Sequence, residues 1–421
     1  MYSKSSRIKS CRICGNKNLV SLLHLGNQTL TGVFPKDKKE IITSGPLELV
    51  KCQETKNGST CGLVQLAHTY PKDEMYSKNY GYRSGLNKSM LNHLAEKADS
   101  IRKIVSLKNK DIILDIGSND GSFLKNFKKD LTLVGMDPTG FKQYYPSYIK
   151  LIPDFFSSVL FKKKFPNKLA KVVTSIAMFY DLDKPIEFMK NIREILADDG
   201  IWVTEQSYLP SMLKTNSYDT ICHEHLEYYC LKQIKWMADK TDLKIIDVEF
   251  NDINGGSFSV TMAKKESNFK ESKRLVDKIL NQEIKKGMST DKPIKDLKVR
   301  LIKSRRDLIS FLKKVKKEDK KIFGYGASTK GNVLLQFCNI TEKQLPLIGE
   351  VNKNKFGSFT PNTLIPIVDE KEIKKMKPHY LLVLPWHFRD NIIAKEKDYL
   401  KSGGVLVFPL PKLELVREGR I

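Results

Sequence analysis

Two histidines flank one carboxyl group in His223-Glu224-His225, within the run Asp219 to Tyr229. The whole chain has seven histidines, so a triplet that holds two of them is not what packing alone would place there. Imidazole takes or gives a proton near neutral pH, and a neighbouring carboxyl group can fix its tautomer or steady its charged form. The triplet therefore reads as an acid–base centre with His225, Glu224 and His223 as its candidate catalytic residues. A polar hairpin with incidental histidines is the competing reading.

Four of the seven cysteines fall within the first 61 residues. Cys11-Arg12-Ile13-Cys14-Gly15 has knuckle spacing, and its glycine permits the tight turn that aims amide hydrogens at thiolates. Cys52 and Cys61 follow, separated by a polar insertion. Four thiolates close a tetrahedral shell, so Cys11, Cys14, Cys52 and Cys61 predict a structural zinc, not a catalytic one. Such spacing does not suit a secreted disulfide framework, and a chain of 421 residues has no need of one.

A third constellation is Asp115-Ile116-Gly117-Ser118-Asn119-Asp120-Gly121, which follows a β-branched run and is expected to open a helix. Asp137 ends the next expected strand, where a carboxylate can hold two ribose hydroxyls. The middle glycine of a dinucleotide fingerprint is missing. Asp120 stands in the turn instead, where an acid repels pyrophosphate but suits a cationic, phosphate-free cofactor. Asp115, Gly117, Ser118, Asn119, Asp120, Gly121 and Asp137 are thus read as an S-adenosylmethionine site. Phe155 or Phe156, after Asp154, would lie by the adenine unless they are simply core. A second loop, Gly324-Tyr325-Gly326-Ala327-Ser328-Thr329-Lys330-Gly331-Asn332, has no acid in its turn and carries a lysine at a helix start. Gly326, Ser328, Lys330 and Asn332 there suit a phosphate or diphosphate.

These residues need a scaffold of alternating strands and helices. Apolar positions near a 3.6 period predict a helix from about Lys88 to Leu107. Strands are expected at Leu131–Asp137, Val172–Ile176, Ile201–Glu205, Leu243–Phe250 and Phe258–Met262, with helices at Pro185–Leu196 and Leu231–Asp239. Such alternation means a doubly wound parallel sheet. A charged helical stretch from about Glu266 to Glu318 leads to a second alternating region, with strands at Leu347–Val351, Tyr380–Leu384 and Val405–Phe408. The fold class is α/β, with a small zinc-binding domain ahead of two Rossmann-like domains. The expected domains are 1–75, 76–265 and 266–421.

A formal charge of +25 invites a nucleic-acid reading. Lysine is spread along the whole chain, however, without an arginine- and aromatic-rich stripe, and is read as surface that also favours an anionic small substrate. No apolar run approaches the roughly 20 residues needed to span a bilayer, and the start lacks the apolar core of a secretory signal. A cytoplasmic enzyme with neither nucleic-acid nor membrane partner is expected, as a monomer or weak homo-oligomer.

Taken together, the cysteine set, the Tyr76-to-Gly85 segment, the Gly117–Gly121 loop, the His223-Glu224-His225 triplet, Asn254-Gly255-Gly256-Ser257 and the Gly324–Ala327 loop resemble the three-domain sugar C-methyltransferases. That resemblance spans nearly the whole chain. It implies a class I methyltransferase domain between the zinc-binding domain and a C-terminal domain that helps bind a nucleotide-sugar substrate. It also implies methylation of a ring carbon beside the C-4 ketone of a nucleotide-linked hexose, in branched-sugar or surface-polysaccharide synthesis. His225 matches the family's base, Glu224 stands beside it, and Tyr76 and Tyr80 fall on the substrate side. The family's tyrosine before the triplet is Cys222 here, and its histidine after the fourth strand is Asp181. Alternatives that remain open are a saccharide O-methyltransferase, a zinc-bearing nucleic-acid-binding protein and a dinucleotide-dependent oxidation by the C-terminal half.

Overall fold

The computed structural model describes residues 5–55, 58–76 and 82–419. Tyr80, expected on the substrate side, lies outside the described residues.

The central sheet has seven strands in the order Leu243–Asn251, Ser257–Lys264, Leu196–Ser207, Ala170–Ile176, Ile112–Ile116, Thr132–Met136 and Ile149–Ile152. Ser257–Lys264 runs antiparallel to both neighbours, while Leu196–Ser207 through Ile149–Ile152 pair in parallel. Ile112–Ile116 is buried along its whole length, as its unbroken apolar run requires of a strand covered on both faces. The chain order reverses on either side of this strand. A crevice therefore opens beyond its carboxyl end, where doubly wound sheets bind ligands.

Helix Lys88–Ile104 starts on the Asn87 side chain, which accepts the Ser89 amide, and buries Met90, Leu94, Ala98 and Ile101. The helix expected after Gly121 is reduced to one tight turn, Leu124–Asn126. Too few residues separate Gly121 from the next strand to cross the sheet as a helix and return.

A second parallel sheet, Ile367–Asp369, Ile348–Glu350, Ile322–Tyr325, Tyr380–Val383 and Val405–Phe408, carries one antiparallel edge strand, Glu414–Val416. Its own reversal point brings together the loops after Tyr325 and after Val383.

The amino-terminal unit is a four-stranded antiparallel sheet that the sequence reading missed: Glu227–Tyr228, Val64–Leu66, Ser44–Cys52 and Leu19–Thr29. Two elements cross the expected boundaries. Strand Glu227–Tyr228, just after the His-Glu-His triplet, belongs to this first sheet. Helix Lys273–Lys285 buries Val276 and Ile279 in the same core as Leu243, Ile245 and Val248 of the central unit. The amino-terminal sheet is also a wedge. Leu47, Leu49 and Leu66 share a core with Leu301 and Leu308 of the long helix Lys292–Lys317, while Cys11, Cys52, Cys61 and Leu63 pack into the core of the central sheet.

Candidate functional site

The four cysteine sulfurs lie within 4.8 Å of one another. Cys11 Sγ and Cys61 Sγ are 3.4 Å apart and Cys14 Sγ and Cys52 Sγ 3.5 Å, near the roughly 3.8 Å edge of a tetrahedral zinc–thiolate shell. Gly15 has φ 72°, in the left-handed turn that closes the knuckle, and Asn16 Nδ2 points at Cys52 Sγ from 3.4 Å. These four residues fit a structural zinc.

Beyond the carboxyl end of Ile112–Ile116 opens a cavity of about 390 Å³. Asp115, Gly117, Ser118, Asn119, Asp137, Phe155 and Phe156 line it, and so do Tyr76 and Asp181. Gly117 has φ 70°, and a Cβ there would press to 3.0 Å from Met178 Cγ. The Asp137 carboxylate anchors the loop by accepting the amides of Asn119 (2.7 Å) and Thr139 (2.8 Å). Asp115 accepts Thr174 Oγ1 at 2.6 Å, and burial, helped by the charge of Asp137, pushes its pKa up to about 7. Two buried carboxyls, one raised by the charge of the other, gain by receiving a cation, and Phe155, Phe156 and Phe188 supply an apolar wall. This lining fits S-adenosylmethionine.

One part of the loop reading changes. Asp120 is absent from the lining, because its carboxylate accepts Ser122 Oγ (2.6 Å) and the Gly85 amide (2.9 Å). It fastens the strap Tyr82–Gly85 to the loop, with Asn119 Oδ1 accepting the Ser84 amide at 2.9 Å. The acids of these two strand ends that line the cavity are Asp115 and Asp137. Glu205, which the sequence reading missed, also lines the cavity but is saturated by His93 (2.5 Å), Lys97 (3.2 Å) and Asn251 (3.1 Å).

The triplet stands beside this cavity without lining it. Its members face different units. His225 Nδ1 donates to Thr220 O at 2.9 Å, and the ring meets Tyr180 edge-on at 4.3 Å. Burial, followed by the charge of Lys330, pushes its pKa down to about 3, so it is neutral at physiological pH with Nε2 as its lone-pair nitrogen. Glu224 accepts Thr31 Oγ1 at 3.3 Å, while its Oε1 is buried without a partner. Burial raises its pKa, and it lies within electrostatic reach of Asp181. Asp181 accepts the Tyr76 hydroxyl at 2.9 Å, has an unpartnered buried Oδ1, and is itself raised well above the carboxylate range by burial. His223 is the correction. It is fully buried, hydrogen-bonded by Nε2 to Gln28 O (3.1 Å) and set against the Tyr70 ring, so it anchors the amino-terminal sheet. Cys222 is also buried, and desolvation keeps it a thiol.

The carboxy-terminal loop also differs from expectation. Three of its amides are engaged: Gly326 on Gly349 O (2.8 Å), Ala327 on Glu350 Oε2 (2.8 Å) and Gly331 on Ser328 Oγ (2.9 Å). Asn332 Nδ2 donates to Thr31 O at 2.7 Å, tying this helix to the amino-terminal unit. Gly326 has φ 80° and packs against Pro385. A protein carboxylate, that of Glu350, already sits where a phosphate oxygen was expected.

Further residues converge here unforeseen. Asp219 Oδ2 accepts Trp386 Nε1 at 2.7 Å, its Oδ1 is buried without a partner, and His387 Nδ1 is likewise unpartnered. His387 follows the strand Tyr380–Val383, so the signal that could have found it was a Pro-Trp-His run at the carboxyl end of a strand beside the glycine loop.

Residues 11–76 match a family model described as a zinc binding domain, residues 90–248 one described as a methyltransferase domain, and residues 252–411 one described as a C-methyltransferase C-terminal domain. The C-methyltransferase NovU of Streptomyces niveus is 26% identical over 415 residues, 97% of each chain. Among solved structures, the CcbJ methyltransferase from Streptomyces caelestis is 12% identical, covering 41% of this chain and 89% of its own, with a TM-score of 0.32. The cyclopropane synthase MmaA2 from Mycobacterium tuberculosis is 13% identical, covering 40% and 83%, with a TM-score of 0.33.

Proposed function

We propose that this S-adenosylmethionine-dependent methyltransferase, whose three domains match those of a C-methyltransferase, methylates a carbon beside the C-4 ketone of a nucleotide-linked hexose. The observation that carries this reading is His225, whose Nδ1 is committed to Thr220 O and whose burial keeps it neutral. A ketone acidifies the neighbouring C–H, and a neutral imidazole with a fixed tautomer can take that proton on Nε2. When bound, S-adenosylmethionine supplies an electrophilic methyl group for the resulting carbon nucleophile. Asp137 would hold the ribose, and Asp115 would face the cationic end. Asp181, kept toward its neutral form by burial, lines the cavity and can donate a hydrogen bond to a substrate oxygen from its unpartnered side. Tyr76, through Asp181, brings the amino-terminal side of the chain to the same place.

Substrate deuterated at the carbon next to the ketone tests the proposal. Carbon methylation by a base requires that this label be lost, as the product's mass and NMR spectrum would record. A methylated product that keeps all of its label would refute it and favour methylation of an oxygen.

A further inference from the structure

We propose that Lys330 is the cation that holds the substrate's carbonyl oxygen as it becomes an enolate, not a reader of phosphate. This rests on the proposed ketone chemistry. Three of the loop's amides, those of Gly326, Ala327 and Gly331, are engaged within the protein, and the Glu350 carboxylate, which a phosphate would meet as a like charge, stands among them. The lysine side chain instead crosses to the central unit. Its Nζ donates to Asn254 O at 2.8 Å, and Asn254 lines the cavity, which Lys330 itself borders through that carbonyl without lining it. Asn254 holds the left-handed φ of 57° in the tight turn Ile253–Gly255. An ammonium has three N–H groups. The other two have no protein partner among the described residues.

One short turn sets base and cation together. Tyr218–Thr220 supplies Thr220 O to His225 Nδ1, and Asp219, next to it, lies within electrostatic reach of Lys330. Helix Thr329–Cys338, which carries Lys330 in its first turn, docks on that same turn through the Tyr218 and Phe337 rings, 5.3 Å apart. Trp386 Nε1 holds Asp219 Oδ2 from the other side of the carboxy-terminal unit. The groups facing Lys330 are Asp219, Cys222, His225 and His387. Those facing His225 are Lys330 and the Tyr180 ring.

The step balances as follows. His225 Nε2 takes the proton, the C–H pair becomes a carbon–carbon double bond, and the carbonyl π pair moves to oxygen beside Lys330. The oxygen pair then re-forms the ketone, the double-bond pair attacks the methyl carbon, and the carbon–sulfur pair leaves with sulfur. A cation beside a base weakens that base. It speeds proton removal only if it lies nearer the oxygen where charge builds up than the nitrogen that becomes charged. Asp219 tempers its effect on His225.

The test uses full-length Lys330→Met and Lys330→Arg, with zinc content and S-adenosylmethionine binding checked first as evidence of folding. The substrate is a nucleotide-linked 4-keto-6-deoxyhexose that the wild type methylates. In Lys330→Met, methyl transfer and cofactor-independent deuterium washout should both slow by about 10²–10³-fold, the cost of losing one oxyanion donor. The KM for the sugar nucleotide should move by less than ~3-fold, as for a group that acts in the transition state. The acidic limb of the kcat/KM profile should shift to higher pH, since no neighbouring cation then opposes protonation of His225. Lys330→Arg should recover part of the rate. A raised KM with kcat intact would overturn the proposal in favour of phosphate binding, as would washout that is unchanged in Lys330→Met. Wild-type enzyme whose methylated product keeps the label refutes the ketone chemistry itself, and this inference with it. Wild type that methylates carbon while Lys330→Met behaves normally refutes the inference alone.

Discussion

Replacing Asp137 with alanine separates what the glycine loop owes to this carboxylate from what the cofactor owes to it. In the free protein the carboxylate accepts two buried amides, Asn119 N at 2.7 Å and Thr139 N at 2.8 Å, as well as the Thr139 hydroxyl. Each buried donor left without an acceptor costs about 1–3 kcal/mol, and the adjoining cavity lets water recover part of that. The variant should therefore be about 2–4 kcal/mol less stable without ligand, read as a lower midpoint in urea unfolding. Asn119, at φ 52°, loses the bond that holds its strained backbone. Binding adds a second loss. Charge-assisted bonds to ribose hydroxyls contribute about 1–3 kcal/mol in all, or roughly 5–150-fold in Kd. Calorimetry with S-adenosylmethionine and with S-adenosylhomocysteine should show the same loss for both, because both carry the ribose. Asp137→Asn keeps one acceptor oxygen and should fall between alanine and wild type. An alanine variant that is folded and binds both ligands with wild-type affinity would show that the ribose lies elsewhere. A loss confined to the sulfonium form would assign Asp137 to charge and not to the ribose.

Freshly purified protein should contain one zinc per chain by elemental analysis. Because Glu227–Tyr228 pairs with Val64–Leu66 and Gln233 Nε2 donates to Cys61 O at 2.9 Å, chelation should abolish methyl transfer before it weakens cofactor binding in calorimetry. His225→Ala should lower turnover by about 10²–10⁴ with cofactor affinity nearly unchanged, as kinetics and calorimetry together would record. Asp115, held at about 7 by burial, is largely protonated at pH 6 and ionised at pH 8. A cation favours its ionised form. S-adenosylmethionine should therefore bind more tightly as pH rises through this window and release a proton, measurable as a buffer-dependent heat, and Asp115→Asn should remove both effects.

The readings that held rest on local rules. A C-x2-C-G knuckle and two later cysteines give four sulfurs within 4.8 Å, and short β-branched runs become buried strands such as Ile112–Ile116. What the chain concealed was decided by tertiary context. Nothing local says that Asp120 turns back onto Ser122 and Gly85 while Asp115 faces the cavity. Nor does the triplet reveal that His223 and His225 point to different units, because the segment carrying them is not a regular strand and so follows no fixed alternation. Lys330 was legible as a lysine at a helix start. Its carbonyl partner, 76 residues away in sequence, was not.

The remaining question is why the proposed proton-transfer centre should be assembled from three units. The geometry at Gly32 supplies an answer. A Cβ there would overlap Glu224 Oε1 and come within 3.8 Å of Thr329 Oγ1, so at this point the amino-terminal sheet, the triplet segment and the carboxy-terminal helix are in contact. Thr31 donates to Glu224 through its hydroxyl and receives Asn332 through its carbonyl, which ties the same three parts by hydrogen bonds. A base that must stay neutral and a lysine that must stay close to it both need burial, and burial needs walls. The central sheet supplies one wall at the carboxyl ends of its strands. The zinc-bearing sheet closes a second side through Glu227–Tyr228, and the carboxy-terminal unit closes the third with helix Thr329–Cys338 and the Trp386 loop. The outer units thus add to the desolvation that shifts His225 and Lys330 from their ordinary pKa values, and under the proposed mechanism their docking is part of the chemistry.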